Sequence, residues 1–195
     1  MSNKFLFPIF AIALLFSLVS ISSVNASAES YQVPTPACEL SRTYPTLVFK
    51  VDAKNALTQG LLLVDCSVDY VFPAITANPD FYTPIGQYTI DYPNMKKLAL
   101  LTWEEKGYRD LKTPNWMPYA KDVSTGDFGQ DIWRNNFGVH SAPWRWSAEF
   151  TGNRELTLGG THGCTNLNNT NSNWLYNRVL EYKNAGQKVK VYNYN

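Results

Sequence analysis

The sequence THGCTN at residues 161–166 decides the interpretation of this 195-residue chain. It places Cys164 directly after a glycine and two residues after His162. The chain contains two histidines, and the other one, His140, lies upstream within the sequence GVHSAPW at residues 138–144. A free thiol has a pKa near ~8.5 and attacks carbonyl carbon as the thiolate. A cysteine that shares its surroundings with an imidazole is therefore a candidate nucleophile.

Several assignments at this stretch stay open from the residues alone. Cys164 could be a small buried side chain, with both histidines in ordinary hydrogen bonds. His140, His162 and Cys164 could instead bind zinc, but the ligand spacing of structural zinc sites is absent, and we predict no metal and no other cofactor. In a nucleophilic site, Gly163 would tighten the turn so that backbone N–H groups face an oxyanion. Either histidine could be the base, because residues 162 and 164 share a face if they are extended.

The first 28 residues are predicted to be a secretory signal peptide. Lys4 is followed by an apolar run to Ile21 and then by small residues that end at Ala28. A basic start, an apolar centre and a small-residue cleavage site form the usual pattern. The apolar run is close to the length that spans a bilayer, so an uncleaved anchor is the alternative. We expect an exported protein of the periplasm or the cell wall and extracellular space, with no stable membrane span after cleavage.

The cysteine content fits export and a free thiol at position 164. Cysteines of exported proteins meet oxidising conditions and usually pair, and this chain has three. The simplest assignment is a disulfide between Cys38 and Cys66, which closes the N-terminal segment onto an early strand and leaves Cys164 unpaired. Three unpaired cysteines are the alternative, since pairing cannot be read from a sequence.

The chain behind the signal peptide is long enough for one domain with its own core. We expect an exposed, proline-containing segment at residues 29–45 and one domain at residues 46–195. The net charge is +1 for the full sequence and about neutral without Lys4, so no basic face is indicated. Nucleic acid is therefore not an expected partner.

Short runs of β-branched and aromatic residues predict a mainly β domain with a mostly antiparallel sheet. Residues 104–127 contain two prolines and two glycines and are predicted to be a loop. A helix is predicted at residues 171–185, with Ser172 as its N-terminal cap and Gly186 at its C-terminal end. A final strand follows around Val189 and Val191. The strands predicted before the helix are residues 46–51, 60–65, 68–74, 86–90 and 98–103.

These motifs resemble those of the L,D-transpeptidase family, whose catalytic domain is of the YkuD type. The family carries an upstream histidine followed by Ser/Thr-His-Gly-Cys-x-Asn or Arg, as in His140 and residues 161–166. The sequences TPIGQY at residues 83–88 and HSAPWR at residues 140–145 are similar to two further family motifs. The resemblance extends over residues 46–192.

The family's fold implies a β-sandwich or barrel of mixed strands with one C-terminal helix and short helical turns, in which residues 46–195 are the catalytic domain. Two features depart from the family pattern. The interval at residues 141–160 is longer than usual, which predicts an inserted hairpin near residues 151–153. Thr165 stands where the family usually has an apolar residue. We interpret both as changes in groove shape.

The resemblance also implies a reaction. Cys164 would attack the carbonyl between the third and fourth residues of a peptidoglycan tetrapeptide stem and expel the terminal D-alanine. His140 would act as base and then acid, with the backbone carbonyl of Ser141 orienting its ring. Backbone N–H groups of Gly163 and Cys164 would bind the oxyanion, and His162 would shape the pocket. The thioacyl enzyme would pass the stem to an amine, as a transpeptidase, or to water, as an L,D-carboxypeptidase.

Peptidoglycan stem peptides are the expected partners, and protein partners are not indicated by the sequence. The residues expected to contact the stem are Trp144, Arg145, Thr161 and Asn166, although Trp144 fits a core position equally well. The acceptor could be another stem, an anchored protein, an amino acid or water. A catalytically silent wall-binding module is the alternative from a different class, but such a module would have no use for an oxidisable thiol.

Overall fold

The structure is a computed structural model that describes residues 31–52, 57–76, 83, 85–103, 108–121, 137–144, 161 and 163–195. The predicted signal peptide, Arg145, His162 and the expected hairpin at residues 151–153 lie outside the described residues. All elements named below belong to the compact unit Val33–Asn195. Within the described part of the chain, no helix combines the length and the apolar character needed to cross a membrane.

The described residues form nine strands, two α-helices and a short 3-10 helix. The strands are β1 (Thr46–Lys50), β2 (Leu57–Val64), β3 (Ser67–Ile75), β4 (Gly86–Ile90), β5 (Lys96–Trp103), β6 (Tyr108–Lys121), β7 (Gly138–Ser141), β8 (Thr165–Leu167) and β9 (Lys190–Tyr194). The helices are α1 (Thr35–Ser41), α2 (Asn169–Asn184) and the 3-10 helix Tyr92–Asn94.

The strands form a closed, barrel-like sheet. Their order is β4-β9-β1-β2-β3-β8-β7-β6-β5, and an additional pairing between β4 and β6 closes the ring. Strand β5 lies outside the ring as the partner of β6 in a hairpin. Most pairs are antiparallel, but β1 pairs with β9 and β7 pairs with β8 in parallel. The mainly β fold class with mixed strands and a C-terminal helix is thus confirmed.

Alternation of side chains along the strands builds the core inside the ring. On β9, Val191 and Asn193 are buried while their neighbours are half-buried, as expected when alternate residues point to opposite faces. Helix α2 contributes Leu175 and Val179 to the same buried cluster. The helix therefore packs against the strands through one face. Its N-terminal end follows β8 directly in the chain.

The C-terminal end of α2 was predicted correctly, but its N-terminal cap was not. Asn168 caps the N-terminus, because its Oδ1 accepts a hydrogen bond of 2.8 Å from the backbone N–H of Asn171. Ser172, the predicted cap, lies within the helix and is fully buried. Gly186 follows the C-terminal end with φ of +74°, so that prediction is confirmed. The polar run before the helix offers several possible caps, and propensity alone does not choose among them.

The predicted loop at residues 104–127 is wrong over most of its length, because residues 108–121 form β6. Prolines suggested the loop, since proline lacks the N–H that a ladder needs. Pro114 pairs with Leu98 of β5 before β6 meets β7, and Pro118 lies opposite Gly138 near the point where β6 turns to β4. Proline is tolerated where a strand has one neighbour or changes neighbours.

The segment before β1 is less exposed than predicted. It contains α1, in which Ala37 and Ser41 are buried, and Ala37 packs in a cluster on β1 and β2. The structure joins Cys38 and Cys66 in a disulfide, the pairing that the sequence analysis favours. The hydroxyl of Ser41 accepts a hydrogen bond of 2.8 Å from the backbone N–H of Cys66. The helix is thus held on the turn between β2 and β3.

Replacing Cys38 and Cys66 together by serine is expected to lower the free energy of unfolding by about 3.5 kcal/mol in a chain-entropy treatment. The cross-link has a sequence separation of 28, and opening it frees the unfolded chain. Chemical denaturation of the double variant beside the wild type measures the loss. Cys164→Ser, which keeps the disulfide, is the control, and a loss equal to that of the control would contradict the prediction.

Candidate active site

The parallel pairing of β7 with β8 brings the two sequence motifs together. In this register Val139 lies opposite Thr165 and His140 lies opposite Asn166. Paired residues point to the same face of a sheet, so the side chains of His140 and Asn166 are neighbours. Cys164 is the residue immediately before β8. The motif around His140 and the motif around Cys164, which are distant in sequence, therefore meet on two neighbouring strands of the ring.

His140 is held by hydrogen bonds at both ring nitrogens. Its Nδ1 lies 2.8 Å from the backbone oxygen of Ser141. A carbonyl only accepts, so Nδ1 carries the hydrogen, and in a neutral ring Nε2 then carries a lone pair. Asn166 places its Nδ2 at 3.1 Å from Nε2 and donates to it. The ring is 2% exposed, which makes Nε2 a fixed and nearly dry proton acceptor.

The peptide that orients this ring is itself anchored. The hydroxyl of Ser141 donates a hydrogen bond to Oδ1 of Asn169, the first residue of α2. The next residue, Ala142, donates its backbone N–H to the oxygen of Leu167 at 3.1 Å. The expectation that the carbonyl of Ser141 orients His140 matches this geometry, and the contacts to β8 and α2 keep that carbonyl in place.

A tight turn presents Cys164. The hydroxyl of Thr161 donates a hydrogen bond to the backbone oxygen of Cys164, which closes the turn from within. Gly163 has φ of +102°, a region that favours glycine. A Cβ at Gly163 would lie 2.1 Å from Cε1 of Phe137, so the ring of Phe137 also excludes a side chain there. Thr161 therefore serves the turn, and its contact with substrate stays a prediction.

Burial keeps the thiol of Cys164 protonated in this state. Although the residue is only partly buried, the surroundings of its sulfur raise the thiol pKa to about 12, and a hydrogen bond from the backbone of Gly138 opposes that rise. Desolvation disfavours the thiolate because charge is less stable away from water. The arrangement is therefore a neutral thiol just before β8 and a neutral imidazole on the adjoining β7, so formation of a thiolate would require a base.

Thr165 points into the ring. Its hydroxyl lies 3.2 Å from the hydroxyl of Tyr119 on β6, and both residues are buried. The pKa of Tyr119 is raised chiefly by burial, while hydrogen bonds to Thr165 and Asn193 lower it. The hydroxyl at position 165, where the family usually has an apolar side chain, therefore has a partner in the core. That this residue changes the shape of the groove stays a prediction.

Two indole rings lie beside His140. The ring centroid of Trp116 is 5.5 Å from that of His140, and the ring centroid of Trp144 is 5.8 Å from it. Trp116, on β6, is 5% exposed, and Trp144 is 41% exposed. The exposure of Trp144 supports the groove alternative over the core alternative.

The site thus contains seven of the predicted residues: His140, Ser141, Trp144, Thr161, Gly163, Cys164 and Asn166. Asn166, expected to contact substrate, is hydrogen-bonded to His140. His162 and Arg145 lie outside the described residues. The sequence does not indicate Trp116, Phe137 or Gly138, because the prolines of β6 predict a loop and because a backbone donor such as Gly138, two residues before His140, leaves no signal in the sequence. Among the described residues, no group of three His, Cys, Asp or Glu side chains could hold a metal ion.

Residues 51–191 match the family model of the YkuD L,D-transpeptidase catalytic domain. An L,D-transpeptidase from Mycobacterium smegmatis is similar over 77% of this chain and 58% of its own, with 20% identity and a TM-score of 0.54. The catalytic domain of an L,D-transpeptidase from Enterococcus faecium is similar over 79% of this chain and 98% of its own, with 18% identity and a TM-score of 0.51. An L,D-transpeptidase in complex with imipenem is similar over 76% of this chain and 58% of its own, with 16% identity and a TM-score of 0.51.

At these identities the solved structures show a shared fold. The chain spans less than two thirds of the length of the M. smegmatis protein. No curated protein sequence matches the chain.

Gly163→Ala is expected to lower the free energy of unfolding by roughly 2–5 kcal/mol, since it combines backbone strain with overpacking against Phe137. Gly186→Ala is the matched control, because Gly186 has φ of +74° and, its chain neighbours aside, no atom of the described residues lies within 4 Å of the position that its Cβ would occupy; strain alone predicts about 1–2 kcal/mol there. Chemical denaturation compares the two variants. Equal losses would contradict the role assigned to Phe137.

Alkylation of Cys164 by iodoacetamide is expected to accelerate about tenfold per pH unit from pH 7 to pH 10 without reaching a plateau. The reason is the thiol pKa, which burial raises to about 12: the thiolate fraction keeps growing until the pH approaches that value. Mass spectrometry of the Cys164 peptide gives the rates, and glutathione is the control thiol. An alkylation rate that reaches a plateau below pH 8 would contradict a resting state in which the Cys164 thiol and the His140 imidazole are both neutral.

Proposed function

We propose a function from the premise that this chain belongs to the YkuD family of L,D-transpeptidase catalytic domains. The protein is a cysteine acyltransferase that acts on peptidoglycan tetrapeptide stems and joins the stem to an amine. The observation that carries the proposal is the hydrogen-bonding of His140. Its Nδ1 donates to the backbone oxygen of Ser141, so its Nε2 is an acceptor, and β7 places this imidazole next to β8, which Cys164 directly precedes.

In the first half-reaction, Nε2 of His140 takes the proton of the Cys164 thiol as the sulfur attacks the stem carbonyl. To do so, Nε2 exchanges the hydrogen bond from Asn166 for one from the thiol. The sulfur–carbon bond forms, and backbone N–H groups of Gly163 and Cys164 bind the oxyanion. The carbon–nitrogen bond to D-alanine then breaks, and the imidazolium returns its proton to the leaving amine.

In the second half-reaction, an amine attacks the thioester and His140 removes its proton. The tetrahedral intermediate collapses, the carbon–sulfur bond breaks, and the thiolate is protonated by His140. Water in place of the amine gives carboxypeptidation. Exclusion of water from the site favours the amine, and the burial of His140 is consistent with that preference.

Export is part of the proposal. The signal peptide at residues 1–28 would direct the chain out of the cytoplasm, and the disulfide between Cys38 and Cys66 suits an oxidising compartment. Peptidoglycan lies in the periplasm or in the wall outside the membrane. The N-terminal signal and the substrate thus indicate the same location.

One observation favours a second candidate, a wall-binding module without turnover: the thiol pKa is raised rather than lowered. A raised pKa is also compatible with catalysis, because a base can remove the proton during attack instead of before it. The two candidates differ in whether Cys164 becomes covalently acylated.

Incubation of the mature protein with tetrapeptide muropeptides is expected to yield cross-linked products that depend on Cys164. Mass spectrometry of the products is the measurement, and Cys164→Ala, which removes only the sulfur, is the matched control. A tripeptide with released D-alanine would instead indicate the carboxypeptidase. Equal product with the control variant would contradict the assignment of the nucleophile.

Imipenem serves as a second acyl donor, since a protein of similar fold is known in complex with it. Wild-type protein is expected to gain the mass of the ligand on the Cys164 peptide. Absence of both the adduct and any muropeptide product, in protein that unfolds cooperatively, would support the binding module.

A further inference from the structure

The indole rings of Trp116 and Trp144 have no role in the proton transfers above, yet both lie against the base. Their centroids are 5.5 and 5.8 Å from the centroid of His140, with interplanar angles of 41° and 39°. The two rings come from separate parts of the fold, β6 and the segment that follows β7. Two independent elements thus place an indole beside the same imidazole.

The position of Trp116 is fixed by strand pairing. It lies opposite Lys96 of β5, one residue before Met117, which pairs with Val139 of β7. Because His140 follows Val139, the ring of Trp116 is held at the level of the imidazole. Trp116 is almost fully buried, whereas Trp144 keeps about two fifths of its surface exposed at 41%.

The proposed reaction creates a positive charge at this place. His140 is neutral while Nε2 accepts from Asn166, and it becomes an imidazolium when it takes the thiol proton. Its hydrogen-bond acceptor at Nδ1 is the neutral carbonyl of Ser141, and the ring is 2% exposed. Burial of a charge is costly unless nearby groups stabilise it. The titratable groups on the described elements around it are Cys164, Tyr119 of β6, which interacts with Cys164, and Lys96 of β5, which lies opposite Trp116.

An indole ring stabilises a cation that lies over its face within about 6 Å of the centroid, because the π face carries a partial negative charge, and both centroid distances to His140 are within that range. We propose that Trp116 and Trp144 are positioning residues that stabilise the imidazolium form of His140 by cation–π interaction as Cys164 is deprotonated. The catalytic part of this inference rests on the proposed function. The effect on the protonation of His140 does not, since it requires only the ring contacts.

The first test therefore measures protonation without turnover. In protein that carries Cys164→Ala, NMR titration is expected to give the highest pKa for the His140 ring when residue 144 is tryptophan. The pKa is expected to be lower with Trp144→Phe and lowest with Trp144→Leu. The protonation constant is expected to drop about fivefold or more for the leucine variant. Trp174→Phe, which alters a ring stacked on Tyr70 at 3.9 Å, is the matched control. An unchanged His140 pKa in Trp144→Leu would overturn the proposal.

The second test separates charge from shape. A fluorinated tryptophan at position 144 keeps the shape of the indole and weakens the negative π face. The maximal rate of Cys164 acylation by imipenem is expected to fall with increasing fluorination, with no change in the concentration that gives half-maximal rate. Trp116→Phe is expected to act in the same direction while the protein still unfolds cooperatively. A rate that is independent of fluorination would overturn the proposal.

The outcomes also separate this inference from the proposed function. A wild-type protein that is never acylated, but whose His140 pKa responds to position 144, would refute the enzyme and retain the cation–π interaction. A wild-type protein that is acylated at a rate insensitive to both tryptophans would retain the enzyme and refute the inference.

Discussion

The parallel pairing of β7 with β8 is the constraint on which the rest of the site depends. It aligns His140 with Asn166 and places Cys164 at the start of the neighbouring strand. Parallel neighbours need a long connection, so the two motifs must be far apart in sequence, as they are. The ring of strands and α2 then anchor both short strands, which carry too few hydrogen bonds to hold a site alone.

A dry, neutral resting state follows from this construction. Burial raises the thiol pKa of Cys164, and the fixed tautomer of His140 leaves a lone pair instead of a charge. In the proposed reaction, both groups become charged only when the proton moves between them. Such a site stays uncharged until a substrate carbonyl is present, and the groups that surround His140 then determine how costly the charge becomes. The two indole rings are placed to lower that cost.

Much of the fold and most of the residues of the site could be predicted from the sequence. Strands such as Gly86–Ile90 alternate clearly, and Gly186 ends α2 as its conformation requires. Cys164 is indicated as a candidate nucleophile by the two histidines near it, whereas the choice of His140 over His162 as the base comes from the family resemblance. Trp116 could not be predicted from local sequence, because its place beside His140 depends on the register between β6 and β7. The prolines of β6 also predict a loop where the structure has a strand. Likewise, Asn168 rather than Ser172 caps α2 because β8 ends at Leu167, so that the helix begins directly after Asn168.

The most direct test of this account is a crystal structure of the protein after reaction with imipenem. We expect a thioester at Sγ of Cys164, with its carbonyl oxygen within hydrogen-bond distance of the backbone N–H of Gly163 or Cys164. We also expect Nδ1 of His140 to remain hydrogen-bonded to the oxygen of Ser141. An adduct whose carbonyl oxygen faces away from this turn, or a His140 ring rotated off Ser141, would contradict it.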